Sequence, residues 1–256
     1  MIFNPNLYSS ALTEAISHPL LFACVSGAHL YGFPSPDSDV DLRCCHVLPA
    51  RAMLGLHPPK GTFTRTWHVH GVEIDLVSHD LVKFMVLLLQ PHGNYLENLF
   101  SPLVVLDSPW AEELRALVRQ GAISRRAYQP YAGYARSQWQ AWRRQAIQGP
   151  APIKPLLYAY RVSLTGIHLL RTGEVNANLA ELAPAYGYGH LLALIAAKTT
   201  EQAALTLPVE EHEAAIERLQ EDLHAAYEGS PLPPEPTNQP ALEDFVVRVR
   251  LAGGVS

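Results

Sequence analysis

The spacing of apolar residues changes near Val77, and that change limits what this chain can become. Before it, apolar and β-branched residues come in short runs or alternate with polar ones, which is the period of strands. Leu20–Val25 is a compact apolar run that predicts a buried strand. A loop rich in Gly, Pro, Ser and Asp follows, from Ser26 to Ser38. Asp39–Val47 alternates at its start and predicts a second strand. Thr62–Val69 and Val72–Val77 are β-rich runs separated only by His70-Gly71, which predicts a hairpin.

After Val77 the signals are those of helices, although one short helix, Ser10–Ile16, is also expected before the first strand. Ser78 or Asp80 can cap a helix running to about Gln90, and Asn94 and Glu97 have the spacing of a capping box. Pro109 opens another helix. Gln129–Gln148 ends before Pro150 and Pro152, Lys154–Arg171 is closed by Gly173, and Pro208–Glu228 by Gly229. Ser230–Pro240 holds five prolines and predicts an extended connector to a final docked helix, Ala241–Leu251. The expected fold is α+β: a small mixed β-sheet core over residues 1–108, then a mostly helical lobe over 109–256.

Composition narrows the class. With 48% hydrophobic and 17% charged residues, wholesale disorder is excluded. Apolar runs are only a few residues long, far short of the roughly 18–20 that cross a bilayer, so no membrane span is expected. The start of the chain carries neither a basic nor an apolar leader pattern, so no secretory signal is expected. Cys24, Cys44 and Cys45 are odd in number and two are adjacent, which suits a reducing cytoplasm rather than a disulfide framework. The net charge of −5 hides an asymmetry: ten of the 19 basic residues fall between Glu113 and Glu174, where no acidic residue occurs. A local field of that sign favours phosphate-rich ligands.

Asp39 and Asp41 are two apart, so on a strand both carboxylates leave the same face. In Glu73-Ile74-Asp75-Leu76, Ile74 and Leu76 face the core in this reading, which puts Glu73 and Asp75 on the other face. Close carboxylates repel unless a cation lies between them, and paired hard oxygens on a rigid strand suit Mg²⁺. Three such carboxylates can hold two metal ions about 3.5–4 Å apart. The competing reading of Asp-x-Asp is a solvated strand edge. Against it stand Ser26-Gly27 after an apolar strand, where backbone N–H groups can cradle phosphates, a flexible Gly32, and Ser38 before the first Asp.

These residues resemble a family. Ser26-Gly27-Ala28-His29-Leu30-Tyr31-Gly32-Phe33 and then Ser38-Asp39-Val40-Asp41-Leu42-Arg43 look like the signature of the DNA polymerase β-like nucleotidyltransferases. Within that superfamily the likeness is closest to a bacterial group of nucleotidyltransferases linked with RNA repair pathways. It continues in Asn94–Pro102 and in Lys154, Tyr158 and Arg161, covering most of residues 20–180. The resemblance implies a nucleotidyltransferase core and a Mg²⁺-dependent transferase (two ions, Mn²⁺ as substitute). Asp39, Asp41 and Asp75 would be the metal-binding, catalytic carboxylates. Ser26, Gly27, Ala28 and Ser38 would meet the nucleotide. One departure is Ala28, where the family has Ser; a lost hydroxyl is worth roughly 0.5–1.5 kcal/mol of phosphate binding.

Lys154, Tyr158 and Arg161 stand at i, i+4 and i+7, so they share a helix face. They read as a cationic wall for a triphosphate, or more blandly as a surface face. Tyr128, Tyr131, Tyr134, Trp139 and Trp142 mix with Arg136, Arg143 and Arg144, a pattern that suits single-stranded nucleic acid, with core packing as the competing reading. His68 and His70 lack further ligands at metal spacing and are expected to be solvated or packed, and the cysteines to lie in the core. The expected activity transfers a nucleoside monophosphate from an NTP to a hydroxyl, with an RNA 3′ end preferred. Two other classes stay open: a nucleotide- or RNA-binding module without chemistry, and a toxin–antitoxin component that nucleotidylates a protein. The base of the NTP and the oligomeric state leave no mark in the sequence.

Overall fold

A computed structural model describes residues 5–69, 71–90, 93–200 and 205–253. Its elements, in chain order, are α1 (Pro5–Ala15), β1 (Leu20–Val25), α2 (Gly27–Leu30), β2 (Val40–His46), α3 (Ala50–Met53), β3 (Thr62–Val69), β4 (Val72–Asp80), α4 (Leu81–Leu89), α5 (Gly93–Leu99) and β5 (Val104–Leu106). Helices follow: α6 (Pro109–Leu117), α7 (Tyr128–Ala146), α8 (Ile153–Thr172), α9 (Leu179–Ala185), α10 (Leu191–Thr199), α11 (Val209–Glu228) and α12 (Gln239–Leu251). The class is α+β, as expected. Two compact units share the chain: a sheet unit of Met1–Gly27, Ser38–Ile123 and Glu235–Ser256, and a helical unit of Ala28–Asp37 and Ser124–Pro234.

In the sheet unit the strand order is β3-β4-β2-β1-β5. The β2–β4 pair is parallel and the other pairs are antiparallel, so the sheet is mixed. One face is apolar: Ala23, Val25, Leu42, Ile74 and Leu76 pack with Leu12 and Ile16 from the first helix and the turn after it. Ile74 and Leu76 are fully buried, which turns the residue between them, Asp75, to the opposite face.

The polar triplet Ser78-His79-Asp80 extends β4 beyond the expected Val77 because each residue has a parallel partner on β2. Ser78 Oγ lies 2.7 Å from His46 Nδ1, so this polar pair is buried and satisfied together. Asp80 ends the strand and caps α4, accepting from the Val82 N–H at 3.0 Å. The same carboxylate accepts from the Leu48 N–H at 3.0 Å and from both Arg250 Nη atoms at 2.8 Å. Arg250 lies on α12, which buries Leu242, Phe245 and Val249 and sets Phe245 against Trp110 of α6. The helix at Gly93–Leu99 starts one residue before Asn94, so Asn94 sits in the first turn and does not cap it.

In the helical unit α8 is the centre, packed by α7, α9, α10 and α11. Gly173 closes it in the left-handed conformation at φ 76°. The acidic α11 turns His212, Ala215, Ile216, Leu219 and Leu223 inward, a stripe at helical spacing. The α9 and α10 helices had no counterpart in the sequence reading. Among the described residues no helix is long and apolar enough to cross a membrane.

Candidate active site

Asp41 of β2 and Asp75 of β4 are register partners in the parallel pair. Val40, Leu42, Ile74 and Leu76 are drawn into the core, so strand alternation sends both carboxylates to the other face. Arg43, two residues on from Asp41, leaves the same face. Its Nη2 donates to Asp41 Oδ1 and, at 3.2 Å, to Asp75 Oδ2. Its Nη1 donates to the Asp75 carbonyl at 2.8 Å and the Leu42 carbonyl at 3.0 Å. One guanidinium thus ties both strands and both carboxylates together.

Asp39 is exposed and directly precedes β2. Burial pushes the Asp41 carboxyl above the ordinary carboxylate range; the Arg43 charge opposes this, and the charges of Asp39 and Asp75 add to it. Two carboxylates therefore share one guanidinium, with the charge of Asp39 close enough to act on Asp41. Among the described residues, no three His, Cys, Asp or Glu side chains close tightly enough to hold a metal ion as they stand. The donor chemistry nonetheless fits one: Asp41 and Asp75 present hard oxygens from adjacent rigid strands, with excess negative charge beside them.

The loop that meets these carboxylates explains its own glycine. The Ser26 N–H donates to the Asp41 carbonyl at 2.8 Å. Gly27 follows at φ 61°, and a Cβ there would lie 1.8 Å from Asp41 Oδ2. Only glycine supplies both that backbone angle and that close approach. Ala28 is buried and Ser38 half-buried. Within the helical unit Gly32 has φ 83°, and a Cβ there would meet Asn178 Oδ1 at 2.1 Å. That Asn178 oxygen accepts from the Ala180 N–H at 3.0 Å and so caps α9.

The helical unit carries Lys154, Tyr158 and Arg161 on α8. Arg161 is buried at 4% exposure, its guanidinium 3.8 Å from the centre of the Tyr31 ring. Tyr158 meets Tyr31 and Phe33 edge-on at 5.6 and 5.8 Å, and Lys154 Nζ lies 6.0 Å from the Tyr158 ring. The row is thus a cation–ring–cation stack that also seats the aromatic residues of the Ala28–Asp37 segment.

Of the aromatic residues on α7, Tyr131, Trp139 and Trp142 are buried, the two Trp rings stacked at 5.3 Å, so they cannot stack on bases. Tyr134, Arg136, Arg143 and Arg144 are exposed, and Arg143 pairs with Glu213 at 2.8 Å. The three cysteines are free and buried; burial pushes Cys24 up to about 12, which removes it as a nucleophile. His68 is exposed, 3.6 Å from Glu73, and His70 lies outside the described residues.

A family model described as the RNA repair pathway DNA polymerase beta family matches residues 9–248. The chain belongs to this family. That membership points to a DNA polymerase β-type nucleotidyltransferase. The chain is also 29% identical, over 160 residues, to an uncharacterized protein of Methanocaldococcus jannaschii. The shared stretch covers 62% of this chain and 64% of that relative, so this chain spans less than two thirds of the relative's length. A nucleotidyltransferase-like protein from Exiguobacterium sibiricum aligns at 11% identity with a TM-score of 0.35, covering 97% of this chain and 76% of the other.

Sequence reasoning assigned no role to Arg43. The signal was present, because its i+2 spacing from Asp41 on a strand places the guanidinium on the carboxylate face.

Proposed function

We propose that the chain is a Mg²⁺-dependent nucleotidyltransferase that moves a nucleoside monophosphate from an NTP to the 3′ hydroxyl of an RNA, in a repair pathway. The observation that carries this reading is the register pairing of Asp41 and Asp75 on one sheet face with more carboxylate charge than Arg43 neutralises. Asp39, Asp41 and Asp75 would hold the Mg²⁺ ions, with Mn²⁺ as a substitute. When bound, such ions neutralise phosphate charge and ease loss of the attacking hydroxyl's proton.

The chain's own groups do the rest. Asp75, with its side chain 36% exposed, accepts the proton of the acceptor hydroxyl. The hydroxyl oxygen attacks the α-phosphorus in line and pyrophosphate leaves. Arg43 holds both carboxylates in place. Within the sheet unit, Ser26, Gly27 and Ser38 are assigned to the phosphates. The RNA acceptor draws its support from the family's description and from the exposed Arg136 and Arg144; the aromatic residues buried in α7 do not contribute.

One observation favours a second reading. Ala28 lacks the family's hydroxyl, which suits a protein that binds nucleotide or RNA without transfer. Incubation with Mg²⁺, each α-labelled NTP and an RNA ending in a 3′ hydroxyl separates the two. Transfer predicts label in the RNA, with Asp41→Asn and Asp75→Asn each lowering incorporation on the order of a thousandfold. Undiminished incorporation in both variants would end the carboxylate mechanism. Binding without pyrophosphate release for all four nucleotides would select the second reading.

A further inference from the structure

A small cavity opens beside the carboxylates, within the sheet unit. Its volume is about 150 Å³, and its polar lining comes from Arg43, His79, Asn94, Tyr95 and Asn98. It shares Arg43 with the Asp41–Asp75 pair. Along β4, Asp75, Val77 and His79 leave the same face, and Val77 and His79 line the cavity. Two residues of strand span about 7 Å, so the end of the cavity at Val77 begins about that far along the strand from Asp75.

Size and chemistry narrow the occupant. A water fills about 30 Å³, so the cavity has the room of about five waters. That suits a sugar ring and excludes a whole nucleotide, since sites for larger ligands begin at about 300 Å³. The Arg43 guanidinium is already bonded to two carboxylates. His79 is spoken for on both nitrogens, by Thr62 Oγ1 at 3.1 Å and Tyr95 OH at 3.4 Å. The amides of Asn94 and Asn98 remain, and they are neutral, so they match hydroxyls better than phosphates.

Asn98 supplies a second, independent observation. It is 7% exposed, and its side-chain Oδ1 accepts no hydrogen bond from any described residue. A buried acceptor left unmet is unusual and points to a missing donor. On the same helix, four residues earlier, the exposed Asn94 stands over the same cavity.

We propose that this cavity is a ribose subsite, taking a sugar ring through its free vicinal hydroxyls, with Asn98 Oδ1 accepting from one hydroxyl and Asn94 bonding at the mouth. This deepens the transfer reading and rests on it for the identity of the sugar. The ring belongs either to the terminal nucleotide of the RNA or to the NTP; the diol chemistry is common to both.

The test uses the full chain and two binding arms. In one, fluorescence anisotropy compares a labelled short RNA ending in a 2′,3′-diol with the same RNA ending in 2′,3′-dideoxyribose. In the other, calorimetry compares ATP with 2′,3′-dideoxy-ATP, with Ca²⁺ replacing Mg²⁺ to hold off transfer. The wild-type chain should prefer the diol by about three- to tenfold in one arm. Asn98→Ala and Asn94→Ala should erase that preference and leave affinity for the dideoxy ligand unchanged.

Loss in the RNA arm assigns the subsite to the acceptor, and loss in the ATP arm to the donor. No diol preference in either arm, or a preference that survives both variants, overturns the proposal. If Asn98→Ala does not fold, the exposed Asn94→Ala carries the same readout. The Asp41→Asn assay reports separately on transfer, so a diol preference without transfer would keep the subsite and end the enzyme reading.

Discussion

Strand β4 carries two aspartates that each meet an arginine, and the two pairs behave in opposite ways. Asp80 and Arg250 form a two-pronged pair with side chains 1% and 10% exposed, and two backbone N–H groups complete the carboxylate's bonding. Asp75 and Arg43 are 36% and 24% exposed, and the one guanidinium must also serve Asp41. Burial alone would raise the Asp80 carboxyl, but Arg250 and the N–H groups of Leu48 and Val82 outweigh it and hold it below the ordinary range. Burial raises the Asp41 carboxyl, and neighbouring carboxylates raise it further against Arg43. The residue types are the same. What differs is whether charge and hydrogen bonds balance: a balanced pair fastens the fold, and an unbalanced one leaves demand for a cation.

The comparison can be broken most forcefully at Arg250. Arg250→Ala strands a buried carboxylate and should cost about 3–5 kcal/mol of stability, read from urea unfolding midpoints. A loss no greater than that of an exposed Arg→Ala change would show that Asp80 is not a fastening point. Gly27→Ala comes next: the strained backbone angle and the contact with Asp41 predict a loss of roughly 1–3 kcal/mol. It should reduce nucleotide transfer as well, because Asp41 must move.

The pH dependence sharpens the contrast. Asp80 has a folded value below its unfolded one of about 3.9, so its stabilisation is full above that value and drains away as pH falls through the folded one. Asp80→Asn should flatten that acid limb in a series of unfolding midpoints below about pH 4. Asp41 has the opposite sign: its penalty is full above its raised folded value and vanishes below the unfolded one. The smallest effect is therefore that Asp41→Asn, measured in a chelator at neutral pH, stabilises the chain by less than about 1 kcal/mol. Destabilisation instead would mean that Asp41 serves the fold and not a ligand.

The sequence carried the strands well where apolar or β-branched residues run together between turn residues. Leu20–Val25 and Thr62–Val69 appear with their expected limits, and the alternation around Ile74 and Leu76 placed Asp75 on its face. It failed where polar side chains satisfy one another across strands. Ser78, His79 and Asp80 read as a helix approach, yet they pair with Cys44, Cys45 and His46. At three residues, Val104–Leu106 is too short to show a period. The helix at Leu179–Ala185 contains Pro184, which hides it from a propensity reading. At the site, the carboxylates stood out as a motif, whereas the unmet Asn98 oxygen depends on what packs around it and so has no signature in the chain.

The Asp80–Arg250 fastening also has a consequence for synthesis. Its partners are 170 residues apart, so at the usual pace of about 5–20 residues per second a ribosome delivers the guanidinium some 10–30 seconds after the carboxylate. Until then the nascent strand β4 lacks its counter-ion while Ser124–Pro234, the larger part of the helical unit, emerges. The segment left waiting is thus the one next to the Asp41–Asp75 face, and it is relieved only when the last helix arrives.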